Sequence, residues 1–199
     1  MKTKFLKLSL LALVLFTASC SSDDNNNDDN TIPAVETKKV SNLDGSKAEF
    51  TKFSFSENKV VTNDNWDVAF STTTILVNGG VKMTDVEPNR TGSGAASIVS
   101  GTFANVTLYP AAATFAQDAT TAYAIPKGSG KGWYNYDMTT HIISPIAGKV
   151  FVIKTHDGKY AKFEILSYYK DAPVTPEATS VSGFYTFNFA YQANSTTTF

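Results

Sequence analysis

A mainly antiparallel β domain is the fold class that this sequence predicts, and three observations predict it. Apolar and polar residues alternate with a period of two in several segments, aromatic residues make up 13% of the chain, and no stretch shows a sustained helical period with caps. Aromatic and β-branched side chains suit a pleated, half-buried surface, and strict alternation gives each strand an inward and an outward face.

The chain opens on "MKTKFLKLSLLALVLFTASC", where Lys2, Lys4 and Lys7 precede an apolar run from Leu8 to Phe16 and small residues lead to Cys20. A membrane-spanning helix needs about 20 apolar residues, so residues 1–19 read as a signal peptide. The only cysteine of the chain stands where the signal ends. "TASC" resembles the lipobox of bacterial lipoproteins, which implies cleavage before Cys20 and lipid on its thiol; Thr17 departs from the more usual Leu. A lipid-modified cysteine leaves no disulfide framework and no zinc–thiolate site. "SSDDNNNDDN" follows, with four Asp, four Asn and no apolar residue. Such a composition buries too little surface to offset the entropy of ordering, so residues 20–35 read as the lipidated cysteine and a flexible acidic linker. An acidic cluster beside a lipidated cysteine also resembles the export signal of Bacteroidetes surface lipoproteins. The expected location is the outer membrane, at the cell surface, held by the lipid anchor alone.

Residues 36–199 are one domain's worth of chain by the prior of roughly 100–200 residues per domain. The formal net charge is −1 and no basic block or basic–aromatic stripe occurs, which excludes nucleic acid as an expected partner, since phosphate contacts need clustered Lys and Arg. "KFSFSE" sets Phe53 and Phe55 against Ser54 and Ser56, and "NWDVAF" sets Trp66, Val68 and Phe70 against Asp67 and Ala69. "RTGSGAAS" and "PKGSGKG" read as loops, and "AAATFAQDATTAYA" as room for one short helix. In "VFVIKTHDGKYAKFEILSYY", Asp157-Gly158 between two β-rich runs predicts a two-residue type I′ hairpin. With "SPIAGK" as a looser turn upstream, a three-stranded meander is expected from about Thr139 to Tyr169. "FYTFNFAYQ" puts Tyr185, Phe187, Phe189 and Tyr191 on one face of a last strand. Exposed strand edges in such a domain allow pairing into a homo-oligomer.

Catalytic motifs are lacking. "TGSGA" has the wrong spacing for a nucleophile elbow, and no phosphate-cradling glycine loop occurs. His156-Asp157 is expected at the tip of a tight turn, facing solvent. Asp67, Asp118 and Glu164 are scattered in sequence, and spacing does not reveal a glycosidase pair. The chain therefore reads as a non-enzyme, with a hydrolase as the remote alternative. Trp66, Trp133 and "GWYNYD" also offer stacking surfaces, so a module binding glycan or protein through exposed aromatics is the second non-enzymatic reading.

"NWDVAF" and "VNGG", then "GWYNYD", then "HIISPIAGKVFVIKTHDGKYAKFEILSYY", and last "SGFYTFNF" together resemble the HmuY family of Bacteroidetes haem-binding lipoproteins, in the expected order from about residue 50 to 190. The resemblance implies a hand-like all-β domain that captures haem or a related porphyrin and passes it to a TonB-dependent receptor. It also implies an iron held between two axial side chains, histidines or methionines, from separate segments. Apart from the initiator, the supply here is Met83, Met138, His141 and His156, with Tyr109 as a further side chain able to ligate ferric iron. Met138, His141 and Met83 are the candidates, not all at once. Met138 and His141 lie three apart, so on one strand they would point to opposite faces, and at most one of them is an axial ligand.

Overall fold

The aromatic alternation of the last long segment sets the centre of the molecule. The computed structural model of the chain describes residues 35–199; the signal segment, Cys20 and the linker up to residue 34 lie outside the described residues. Among the described residues eleven strands follow one another: β1 (Thr37–Asp44), β2 (Thr51–Ser54), β3 (Lys59–Val60), β4 (Val68–Ser71), β5 (Thr74–Val77), β6 (Ala95–Ser100), β7 (Tyr134–Tyr136), β8 (Ile143–Pro145), β9 (Lys149–Lys154), β10 (Tyr160–Tyr169) and β11 (Ser182–Gln192). One antiparallel sheet has the order β1-β11-β10-β9-β6, a second the order β3-β2-β4-β5, and β7 pairs with β8 in a separate ribbon. The expected β fold is what the chain adopts. Among the described residues helix is confined to two single 3₁₀ turns, Phe103–Asn105 and Ala112–Thr114, the latter in place of the short helix anticipated there.

The two sheets meet through aromatic rings. Tyr185, Phe187 and Phe189 of β11 are fully buried on one face, as their alternation predicts. Phe187 lies edge-on to Phe53 at 5.4 Å and stacks with Phe70 at 5.7 Å between centroids. Phe189 meets Phe53 and Phe55, and Phe163 of β10 meets Phe55. Each such pair contributes about 0.5–1.5 kcal/mol beyond the area it buries. The outer faces are covered as well. Val150, Val152 and Ala190 pack under Phe103 and Val106, and Ala69 and Leu76 pack with Val61 and Trp66. Hence β4 and β5 are buried on both sides, and Ala69, read as outward-facing, is as hidden as Val68.

Several local expectations give way to tertiary contacts. Trp66 does not share a face with Val68 and Phe70 but packs with Ala69 and Leu76, because β4 is regular only from Val68 onward and its parity does not extend back. The predicted meander is instead divided: β9 and β10 pair, but β8 pairs with β7. The "RTGSGAAS" loop ends early, since β6 begins at Ala95. At the β9–β10 hairpin, Gly158 N–H donates to Thr155 O (3.1 Å) and Thr155 N–H to Lys159 O (2.9 Å). Of the three tip residues only Gly158 has a positive φ, +77°, so this is a three-residue turn closed by a left-handed glycine and not a type I′ turn. His156 is not solvated either. Its backbone N–H and its Nδ1–H both donate to Asp67 Oδ1 at 2.8 Å, and Asp67 also accepts from Phe55 N–H at 2.7 Å. A buried carboxylate needs such donors, and they tie the hairpin tip of one sheet to the other sheet.

Phe187→Ala should cost about 3–5 kcal/mol of unfolding free energy, the usual range for a fully buried ring, read as a lowered urea midpoint with an unchanged slope.

Candidate functional site

"GWYNYDMTTHIISP" builds a hairpin rooted in the core and open at its tip. Trp133 is buried against Tyr134, Tyr168 and Tyr185, and its indole N–H donates to Thr73 O at 2.9 Å. Ile143 N–H donates to the Tyr169 hydroxyl at 2.9 Å, docking β8 on β10. Beyond this root the strands run out to a loop closed by Asp137 N–H donating to Ile142 O at 2.9 Å. Asp137 Oδ1 accepts from Thr139 N–H (2.7 Å) and Thr140 N–H (3.1 Å). The Thr140 and Thr139 amides hold the Asp137 carboxyl below its ordinary 3.8. Met138 and His141 therefore lie in a loop, not on one strand, and the opposite-face argument does not apply. Met138 rides at the tip, 82% exposed. His141 takes a left-handed backbone, φ +59°, and its Nδ1 lies 2.6 Å from the Tyr136 hydroxyl.

That contact matters chemically. Either group can donate in it; in the tautomer that carries its proton on Nδ1, His141 Nε2 keeps its lone pair, the arrangement that orients an imidazole ligand toward a metal. His141 lines a cleft of ≈ 640 Å³ with Asp137, Thr139, Thr140 and, across from them, Pro176 and Glu177 of the β10–β11 loop. Ligand clefts commonly measure about 300–1,000 Å³.

Met83 sits elsewhere, in a second cleft of ≈ 380 Å³ with Ala122, Tyr123, Pro126, Lys127 and Lys131. A buried ion cluster stands behind this lining. Arg90 Nη2 lies 2.7 Å from Glu87 Oε2 and 2.9 Å from Asp118 Oδ2, with all three side chains hidden from solvent. Glu87 also accepts from Met83 N–H (3.2 Å) and from the Tyr123 hydroxyl (2.7 Å). Asp118 accepts from Val77 N–H and Ala124 N–H, and Val81 N–H donates to Asp118 O. Burial pushes the Asp118 carboxyl above 3.8 despite these partners. Burial acts on Glu87 in the same direction, but the Tyr123, Met83 and Arg90 bonds outweigh it and hold that carboxyl below 4.5. Burial and the Glu87 bond raise the Tyr123 phenol to about 12. The result is a Met83 backbone and a Tyr123 ring fixed from behind by a cluster that the sequence scatters over residues 83–124.

Histidine and methionine are donors suited to a haem iron, and the structure brings Met138 and His141 onto one loop while Met83 occupies a different cleft. The remaining donors fit less well. His156 is bonded to Asp67, and Tyr109 stacks on Tyr160 at 4.1 Å; neither lines these clefts. No group of three or more His, Cys, Asp or Glu forms a metal cluster among the described residues. Trp66 and Trp133, read as stacking surfaces, are 0% and 1% exposed, which removes both as platforms for a sugar. Sequence spacing missed Tyr136 as the partner of His141; an aromatic on β7 facing a histidine across a hairpin loop is visible only once β7 and β8 are paired. No helix among the described residues is long and apolar enough to cross a membrane.

The HmuY protein family model matches residues 46–189. Among the solved structures similar in fold are three that cover most of this chain. A candidate HmuY-like heme-binding protein from Bacteroides vulgatus has a TM-score of 0.51 at 19% identity, covering 78% of this chain and 92% of its own. A candidate lipoprotein from Bacteroides fragilis has a TM-score of 0.50 at 16% identity, over 79% and 91% of the two chains. The apo form of an HmuY analogue from Tannerella forsythia has a TM-score of 0.50 at 16% identity, over 82% and 99%. No curated protein matches the chain.

Two measurements check this site. Arg90→Ala should cost about 3–5 kcal/mol, because it leaves two buried carboxylates without their cation, and denaturant titration reads it. A carboxyl held below 3.8 favours the folded loop above that pH and loses the effect as pH falls through its folded value. The Thr139 and Thr140 amide resonances should accordingly shift together on acidification below 3.8 and stay unshifted in Asp137→Asn.

Proposed function

Because the chain belongs to the HmuY family, we propose that it binds haem or a related porphyrin and passes it to a TonB-dependent outer-membrane receptor. In this reading residues 1–19 direct export, lipid on Cys20 anchors the chain in the outer membrane at the cell surface, residues 20–35 tether it, and residues 36–199 form the binding domain. Protein and membrane contact is otherwise limited to the receptor, with homo-oligomer formation left to the exposed strand edges. The protein acts as a carrier, not as an enzyme.

One observation supports haem most directly. Within the matched region, a hairpin loop presents an imidazole at the edge of a ligand-sized cleft, with its Nδ1 2.6 Å from the Tyr136 hydroxyl. His141 is thus the donor assigned to one axial position. A second donor on the opposite face has to come from another segment, which favours Met83 over Met138. Haem is the cargo, and its iron accepts these ligands; the residues of the chain orient it and shield it from solvent.

The chain without residues 1–20 should give a shifted, sharpened Soret band on titration with haemin. His141→Ala should abolish the shift, Met83→Ala should weaken it, and Met138→Ala should leave it nearly intact. An unshifted band in the wild-type chain would overturn the proposal.

A further inference from the structure

"PKGSGKG", Pro126 to Gly132, is a motif that neither the core nor iron ligation accounts for. Its ends touch. Gly132 approaches Pro126 so closely that a Cβ there would lie 2.0 Å from Pro126 O, so only glycine closes the loop. Inside it, Lys131 N–H donates to Gly128 O at 3.2 Å, and the Lys131 stem folds back with its Cδ 3.5 Å from where a Gly128 Cβ would stand. The loop is also bound to the His141 hairpin: Tyr136 N–H donates to Ser129 Oγ and Gly130 N–H to Tyr134 O, each at 2.8 Å. This tight turn sets Lys127 and Lys131 on the same cleft, beside Met83, Tyr123 and Pro126.

Neither lysine has a carboxylate within ion-pair distance among the described residues. The carboxylates behind the wall, Glu87 and Asp118, are already paired with Arg90. A cleft with thioether, aromatic and proline walls and two uncompensated ammonium groups on one turn suits a flat apolar ligand that carries carboxylates along one edge.

We infer that Lys127 and Lys131 form a carboxylate clamp at the mouth of the Met83 cleft, selecting porphyrins by the two acid groups on one edge. The clamp rests on the haem reading above and adds to it the orientation of the ligand and a preference for free acids over esters.

The test compares haemin, haemin dimethyl ester and metal-free protoporphyrin with the chain lacking residues 1–20, which keeps every described residue. Binding is followed by Soret absorbance and by quenching of tryptophan fluorescence. Wild type should bind haemin roughly five- to tenfold more tightly than the ester, as two exposed ion pairs allow, and the gap should narrow in high salt. Lys127→Gln/Lys131→Gln should erase the gap. Both lysines are exposed, so the fold survives, and Lys38→Gln/Lys39→Gln on the β1 edge controls for net charge. Equal binding of acid and ester by wild type, or a preference kept by the Lys127/Lys131 variant, overturns the clamp while leaving haem binding standing. Lysine-dependent binding of metal-free protoporphyrin without any haemin ligation band upholds the clamp and overturns the iron assignment. No binding of any of the three overturns both.

Discussion

Contact between the aromatic face of β11 and the phenylalanines of the opposite sheet is the constraint on which the rest of this structure depends. Phe187 and Phe189 reach Phe53, Phe55 and Phe70 across the interior, and β11 is an interior strand of its sheet, flanked by β1 and β10. Interiors are packed to crystal-like density, so this seam sets how far apart the sheets stand. Everything that covers their outer faces is then placed by default. Phe103 and Val106 close one side, with Lys162 Nζ donating to both of their carbonyls at 2.8 Å. Val61 and Trp66 close the other.

Covering the second sheet places two long loops where function becomes available. Arg90, Glu87 and Asp118 fix the 81–94 loop against the 118–124 segment, and buried charges of this kind persist only when each has partners. Through Glu87 the cluster reaches Met83 and Tyr123, so the cleft is shaped by an ionic arrangement that never touches its surface. The β7–β8 hairpin works differently. Its root is held by Trp133 in the core, β7 is tied to Ser129 and Gly130, and its tip is organised by local bonds around Asp137 and by Tyr136 against His141. One cleft is backed by buried ion pairs, and the other is lined by a ribbon projecting from the sheets. A ligand contacting both would bridge an ordered surface and a lightly supported one, and local openings are cheapest where buried contacts are few.

Much of the fold was legible because strand periodicity is a local property. The face of β11 and the β9–β10 pairing follow from alternation and turn residues alone. The failures have one cause. Asp67 and His156 stand 89 residues apart, so nothing near His156 in sequence announces a buried carboxylate waiting for it. Trp66, Trp133 and Ala69 look available for solvent until the covering loops are in place. The same applies to the site: Met83, Met138 and His141 were identifiable as scarce iron donors by residue type, whereas Tyr136, Glu87 and Arg90, which position them, carry no signal of their own.

By itself the sequence determined the β class, the strand faces, the inventory of iron-binding side chains and the resemblance to HmuY proteins, all of which depend on residue type and short-range spacing. Only the tertiary structure decided that β8 leaves the meander to pair with β7, that Met138 and His141 share a loop while Met83 lines another cleft, and that a buried Arg–Glu–Asp cluster shapes that cleft. These depend on contacts between segments tens of residues apart, whose partners are selected by packing and by the need to satisfy buried charge.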